Sequence, residues 1–287
     1  MTSQLAHGRE PDRYAVFGSP IAHSRSPGIH AGFARVTGEN IEYGTVEPPV
    51  EGFAPAVRAF LAGGGRGCNV TTPFKLQALA IADEQRPYAA TAGAANCLKF
   101  EAGRIIAENF DGTGLVNDIQ RNLGYDIAGR RVLLLGAGGA VRGAILPFLE
   151  ARPTRLAVAN RSADEARLLQ SAFARHGALD ASGLDDIEGA PFDLVVNATS
   201  ASLFGELPAI PVRLFHDRTL AYELVYGRGL TPFMAFARES GAGRTVDGVG
   251  MLVEQAAEAF GWWRGVRPET GSVIQSLRAS LPQILET

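Results

Sequence analysis

A chain of 287 residues is long enough for one large or two medium domains. Its 46% hydrophobic and 20% charged residues fit a soluble globular protein, and a net charge of −3 gives no reason to expect nucleic acid or an anionic membrane as partner. Two cysteines, Cys68 and Cys97, make neither a disulfide framework nor a zinc site, so a reducing cytoplasm is the expected setting. No stretch approaches the roughly 18 consecutive apolar residues of a membrane helix. The start, Met1 to Asp12, is polar, lacks the apolar core of a signal peptide, and is expected to be a loose tail.

Tyr14 to Gly18 reads as the first strand, and Ser26-Pro27 opens a helix to about Val36. Ile41 to Val46 is a second strand, Phe53 to Leu61 has helical spacing, and Gly67 to Thr71 is a buried strand. A helix is expected after it, with Thr72 as N-cap and Pro73 as its first residue, running to about Ala82. Asn96 to Phe110 reads as a hairpin turning at Glu101-Ala102-Gly103. A helix from about Gly114 to Leu123 follows. Next come a strand at Arg131–Leu135, a helix to about Leu149, a strand at Arg155–Ala159 and a helix over Ala163–Arg175. Strands at Phe192–Asn197 and Leu220–Val225 precede two closing helices, Gly250–Trp263 and Gly271–Leu281. Strands alternating with helices indicate α/β architecture with mainly parallel sheets. The two series change over near residues 111 to 115.

Only two of the 27 basic residues are lysines, Lys75 and Lys99. In a chain that otherwise uses arginine for positive charge, a lysine marks a place where arginine will not serve. An ammonium can give up its proton, whereas a guanidinium effectively cannot. Lys75 also falls in the first turn of the expected helix, where the dipole disfavours a positive charge. Catalytic lysine and solvated surface lysine both remain open on this ground. Gly136-Ala137-Gly138-Gly139-Ala140 lies between a strand and a helix, the setting of a dinucleotide fingerprint, although Val141 stands where its third glycine belongs. The next strand ends Asn160-Arg161-Ser162 with no carboxylate to repel a 2′-phosphate, and Arg161 offers a planar fork to bind one. This favours NADP. Asp111 sits at the expected domain junction, where clefts form. Ser24 and Ser26 either cap the following helix or offer hydroxyls to a polar substrate. His23 reads as structural, and Trp262-Trp263 as packing residues.

Taken together, these segments closely resemble the shikimate dehydrogenase family. The matching stretches are Tyr14 to Pro27, Asn69-Val70-Thr71-Thr72-Pro73-Phe74-Lys75, Gly93-Ala94-Ala95-Asn96, Asn109-Phe110-Asp111-Gly112, Gly136 to Ala140, Asn160-Arg161-Ser162, Asn197-Ala198-Thr199-Ser200 and Gly250 to Ala256. The resemblance implies two α/β domains. An N-terminal substrate domain comprises 1–110 plus 247–287, with the C-terminal helices returning to it; a Rossmann-type domain spans 111–246. It implies reversible NADPH-dependent reduction of 3-dehydroshikimate to shikimate by a Lys75–Asp111 pair. Ser24, Ser26, Asn69, Thr71, Asn96, Tyr222 and Gln255 become substrate ligands. The cofactor set is Gly136, Ala137, Gly138, Gly139, Ala140, Asn160, Arg161, Ser162, Thr199 and Gly248, with no metal. Partners are a small-molecule substrate and no nucleic acid or membrane, in a monomer or homodimer.

Three departures from the family pattern are visible. Phe110 replaces a threonine beside Asp111, and its ring is expected to fill part of the substrate pocket. Glu165 replaces a second arginine of the NADP clamp, which weakens the preference over NAD. Tyr222-Glu223-Leu224 replaces an aspartate–methionine pair, altering the nicotinamide side. A quinate or shikimate dehydrogenase using NAD, and a ligand-binding relative without turnover, are the alternatives; the intact Lys75–Asp111 pair argues against the second.

Overall fold

The computed structural model describes residues 10–227 and 229–281 and contains two six-stranded sheets. The first is built from β1 (Asp12–Phe17), α1 (Ser26–Thr37), β2 (Ile41–Val46), α2 (Phe53–Ala62), β3 (Gly65–Val70), α3 (Lys75–Ala80), β4 (Glu84–Gln85), α4 (Pro87–Ala92), β5 (Cys97–Glu101) and β6 (Arg104–Glu108). Its strand order is β2-β1-β3-β5-β6-β4. β1 runs parallel to β2 and β3, while β5 is antiparallel to β3 and to its hairpin partner β6. Phe17, Phe53, Val57, Phe74 and Leu98 fill one side of this sheet, with the Phe53 and Phe74 rings stacked at 4.8 Å. The expected loose start lies, for residues 1–9, outside the described residues; Asp12 already belongs to β1.

The second sheet follows from α5 (Asp111–Asn117), a π-helical turn over 118–122, β7 (Arg131–Leu135), α6 (Gly139–Glu150), β8 (Arg155–Asn160), α7 (Ala163–Phe173), β9 (Asp180–Gly183), β10 (Leu194–Asn197), β11 (Leu220–Glu223), α8 (Pro232–Glu239) and β12 (Arg244–Val246). The order is β12-β11-β10-β7-β8-β9, and every neighbouring pair is parallel. Counted from β7, this is the doubly wound dinucleotide-binding order, with its switch point between β7 and β10. Side chains alternate between two cores: Val132 and Leu134 face one, Leu133 and Leu135 the other. Both faces are covered, so the strands read as unbroken apolar runs.

The last helices, α9 (Val249–Arg264) and α10 (Gly271–Ser280), return to the first sheet as expected. Val253 and Phe260 of α9 pack on Ile29 and Phe33 of α1. Trp263 stacks on Tyr14 at 4.6 Å and donates its indole N–H to the Leu98 carbonyl. Two helix starts differ from expectation. Phe74 N–H returns to the Thr71 carbonyl and Phe74, not Thr72, stands at the N-cap, so α3 begins at Lys75 and ends at Ala80. The helix expected from Gly114 begins three residues earlier, at Asp111. Among the described residues no helix is long and apolar enough to cross a membrane.

Candidate active site

Lys75 and Asp111 are each the first residue of a helix, and they meet across the cavity floor. Lys75 Nζ donates to Asp111 Oδ2 at 2.5 Å, and Asn96 Nδ2 donates to Asp111 Oδ1 at 2.7 Å. With both oxygens occupied the carboxylate cannot rotate. An acidic residue at a helix start also suits the dipole of α5. The backbone is held as firmly: Asn109 Oδ1 accepts the Asp111 N–H at 3.0 Å, and Asn96 Oδ1 accepts the Phe110 N–H at 2.8 Å. α5 lies against its neighbours with no room for a side chain at two of its glycines. A Cβ at Gly112 would sit 2.2 Å from the Gly143 carbonyl oxygen of α6, and one at Gly114 would sit 2.6 Å from the Gln255 nitrogen of α9. These two glycines let one helix touch both sheets' helices and carry Asp111 to the junction.

A cavity of about 360 Å³ surrounds the pair. Its walls bring together Ser24, Ser26, Asn69, Thr71, Asn96 and Gln255, the expected polar set, with Gly248 at the rim. Gln255 Oε1 lies 3.3 Å from Asn96 Nδ2, so α9 contributes directly to the pocket. Asn69 is oriented by Tyr43, whose buried phenol donates to Asn69 Oδ1 at 2.8 Å; burial pushes the Tyr43 hydroxyl well above its ordinary pKa, keeping it a donor. Ser24 Oγ accepts the Ser26 N–H at 3.3 Å, so it closes the turn into α1 while facing the cavity. A second cavity of about 500 Å³ between α1 and α10 shares Ser24 and Arg25 but contains neither Lys75 nor Asp111.

Tyr222 is a correction. It is fully buried: its hydroxyl donates to Asp118 Oδ2 at 2.7 Å and accepts the Met251 N–H at 3.2 Å. Alternation along β11 turns Leu220 and Tyr222 into the core beneath α5. Leu224 and Tyr226, beyond the strand's end, line the cavity instead. The position just past a parallel strand's C-terminal end was the available signal for Tyr226. Phe110 is a second correction: its ring packs away from the cavity, edge-on to Trp262 at 5.7 Å, although its backbone belongs to the site. Glu223 does not face the cavity either, being wholly buried below the ends of β10 and β11. His23 is exposed rather than packed.

At the switch point the turn from β7 into α6 is shaped for a phosphate-bearing ligand. Gly136 has φ +112°, and its missing side chain faces the Ala198 carbonyl oxygen, 3.3 Å from an added Cβ. An added Cβ at Gly138 or Gly139 would meet no atom within 4 Å, and among the described residues no N-cap side-chain bond closes the start of α6, the kind of helix end that can receive an anion. Ala137 and Ala140 flank this opening and are part-buried. Thr199 stands across it at the end of β10, its N–H and hydroxyl both bonded to Asn197 Oδ1. At the end of β8, Arg161 and Ser162 are exposed, whereas Asn160 donates to Glu165 Oε2 at 2.6 Å. Among the described residues no His/Cys/Asp/Glu cluster forms a metal site.

Three family models cover most of the chain. The shikimate dehydrogenase substrate binding domain matches residues 16–98, shikimate / quinate 5-dehydrogenase matches 118–204, and the shikimate 5′-dehydrogenase C-terminal domain matches 248–278. Shikimate dehydrogenase (NADP(+)) of Nitrosospira multiformis is 52% identical over 270 residues, 94% of this chain and 98% of that protein. The counterpart from Aromatoleum aromaticum is 53% identical over 273 residues, with 94% and 98% covered. Among solved structures, an Ael1 enzyme from Pseudomonas putida matches with a TM-score of 0.90 at 55% identity, covering 93% of this chain and 98% of that one. The shikimate 5-dehydrogenase of Thermus thermophilus, in complex with NADP(H) and shikimate, matches with a TM-score of 0.84 at 32% identity, covering 94% and 100%. Matching domain order, near-complete coverage and identities above one half to curated relatives leave one conclusion: the chain belongs to the shikimate dehydrogenase family.

Proposed function

We propose that this chain catalyses the reversible NADP-dependent reduction of 3-dehydroshikimate to shikimate. The observation that carries the reading is the Lys75–Asp111 contact at the floor of a cavity walled by hydroxyl and amide groups. Reducing a ketone to an alcohol requires a hydride at carbon and a proton at oxygen. Lys75 donates its ammonium proton to the carbonyl oxygen, and in the reverse direction its amine accepts the proton back. Asp111, unable to turn, aims the ammonium. Ser24, Ser26, Asn69, Thr71, Asn96 and Gln255 pair with the hydroxyl and carboxylate groups of a polyhydroxy acid, and Tyr226 takes the wall position expected of Tyr222.

Gly136, Ala137, Gly138, Gly139, Ala140, Asn160, Arg161, Ser162, Thr199 and Gly248 would hold the cofactor, which would supply the hydride. The uncapped start of α6 and the exposed Arg161 fit this assignment. In this reading residues 1–110 and 247–287 bind substrate, and 111–246 bind NADP. Steady-state kinetics with shikimate and quinate, each against NADP and NAD, provide the test. The highest kcat/KM is expected for shikimate with NADP; no turnover of that pair by folded protein refutes the proposal.

A further inference from the structure

Asn197 and Glu223 end adjacent parallel strands and stand opposite each other in register. Glu223 is fully buried, and among the described residues no Lys, Arg or His is paired with it. Among the described residues four hydrogen bonds reach its two oxygens. Oε2 accepts from the Ser202 hydroxyl at 2.5 Å, Asn197 Nδ2 at 3.0 Å and the Thr231 hydroxyl at 3.1 Å. Oε1 accepts the Val225 N–H at 3.1 Å. Asn197 ends β10 and Ser202 lies on the segment leaving it, while Val225 and Thr231 lie on the segment leaving β11. Asn197 passes the constraint to Thr199 through two bonds to its Oδ1, at 3.2 and 2.8 Å. Thr231 caps α8 by accepting the Met234 N–H. Val225 immediately precedes Tyr226, part of the cavity wall.

We infer that Glu223 is a positioning residue that holds the cofactor-side turn at Thr199 and the substrate-side wall at Tyr226 in one preset arrangement. The inference rests on the NADP and shikimate assignment above. Four donor groups converge on the two oxygens of Glu223. An amide has a single acceptor oxygen, and its NH₂ meets a donor wherever it is placed. If the amide oxygen of Glu223→Gln stays with the three donors at Oε2, its NH₂ faces the Val225 N–H and frees the Tyr226 side. Ser202→Ala instead removes the shortest bond, on the Thr199 side.

The experiment measures dissociation constants for NADP and for shikimate by calorimetry, with Michaelis constants and melting temperature alongside. Glu223→Gln is expected to weaken shikimate binding about tenfold while NADP binding stays within about twofold. Ser202→Ala is expected to weaken NADP binding about fivefold and spare shikimate. A purely structural role lowers the melting temperature and the active fraction but leaves both constants unchanged, and that result overturns the inference. Equal weakening of both ligands by both variants overturns it too. Should Glu223→Gln fail to fold, Ser202→Ala decides alone: an unchanged NADP constant is fatal. Absence of shikimate turnover in the unsubstituted protein counts against the functional proposal, whereas the NADP constants still judge the Thr199 turn.

Discussion

The two oxygens of Asp111 have separate partners, Lys75 on one and Asn96 on the other, so the carboxylate acts as a fixed brace for the ammonium. Replacing Lys75 by Ala or Asp111 by Asn is therefore expected to lower kcat by ~10²–10⁴ with a much smaller change in KM, as loss of positioned proton transfer does. Unchanged turnover by a folded Lys75→Ala protein sinks the assignment. Phe110 belongs to a different ledger. Its ring leans on Trp262, so Phe110→Thr is expected to cost ~1–3 kcal/mol of stability for a part-buried aromatic contact and to leave kcat/KM for shikimate unchanged. Denaturant melts paired with kinetics distinguish this from a pocket role.

At the scale of elements, the choice between cofactors falls, in the proposed reading, to the turn from β8 into α7. Arg161 is exposed there, and the neighbouring acid Glu165 is engaged by Asn160. One guanidinium with an acid nearby makes a weaker phosphate clamp than two arginines. Arg161→Ala should raise KM for NADP by about tenfold and leave KM for NAD nearly unchanged; equal losses with both cofactors show that Arg161 does not read the phosphate. The contact between β11 and α9 is of another kind. Tyr222 joins Asp118, whose carboxyl burial raises, to the first turn of α9. Tyr222→Phe leaves the Met251 N–H and Asp118 short of a partner, an expected loss of ~1–3 kcal/mol visible in the unfolding midpoint.

For the whole molecule, acid sensitivity has an identifiable source. His30 is fully buried and stacked on Tyr43 at 4.1 Å, and neither ring nitrogen has a hydrogen-bond partner among the described residues. Burial pulls its pKa down to about 3, and Asn69, which makes no well-formed bond to the ring, opposes this only in part. The unfolded chain takes up a proton near pH 6.5 that the folded chain refuses, so this contribution is present above pH 6.5 and is lost as pH falls toward 3. The loss is on the order of 4 kcal/mol across that window. His30→Phe keeps the stacking and removes the titration, so its unfolding free energy should fall less steeply between pH 7 and 4. Parallel slopes for the two proteins rule His30 out.

The sequence by itself determined the architecture, and its resemblance to the family pointed to most of the residues that line the cavity. Apolar runs such as Arg131–Leu135 form strands wherever both faces are covered, so the strands and the Gly136 turn were legible from pattern; pattern singled out Lys75 and Asp111 without deciding their role, and Asn69 and Asn96 came only with the family resemblance. Short edge strands such as β4 and β12 were not legible, because two or three residues carry no measurable period. Only the tertiary structure decided which tyrosine faces the cavity, since Tyr222 and Tyr226 differ in whether they lie within the strand or beyond its end. It also decided that the Phe110 ring turns toward Trp262, a partner more than a hundred residues away, and that Glu223 lies beneath the site rather than in it. Side-chain direction at a strand end depends on what packs there, and those neighbours are brought together by the fold rather than by adjacency along the chain.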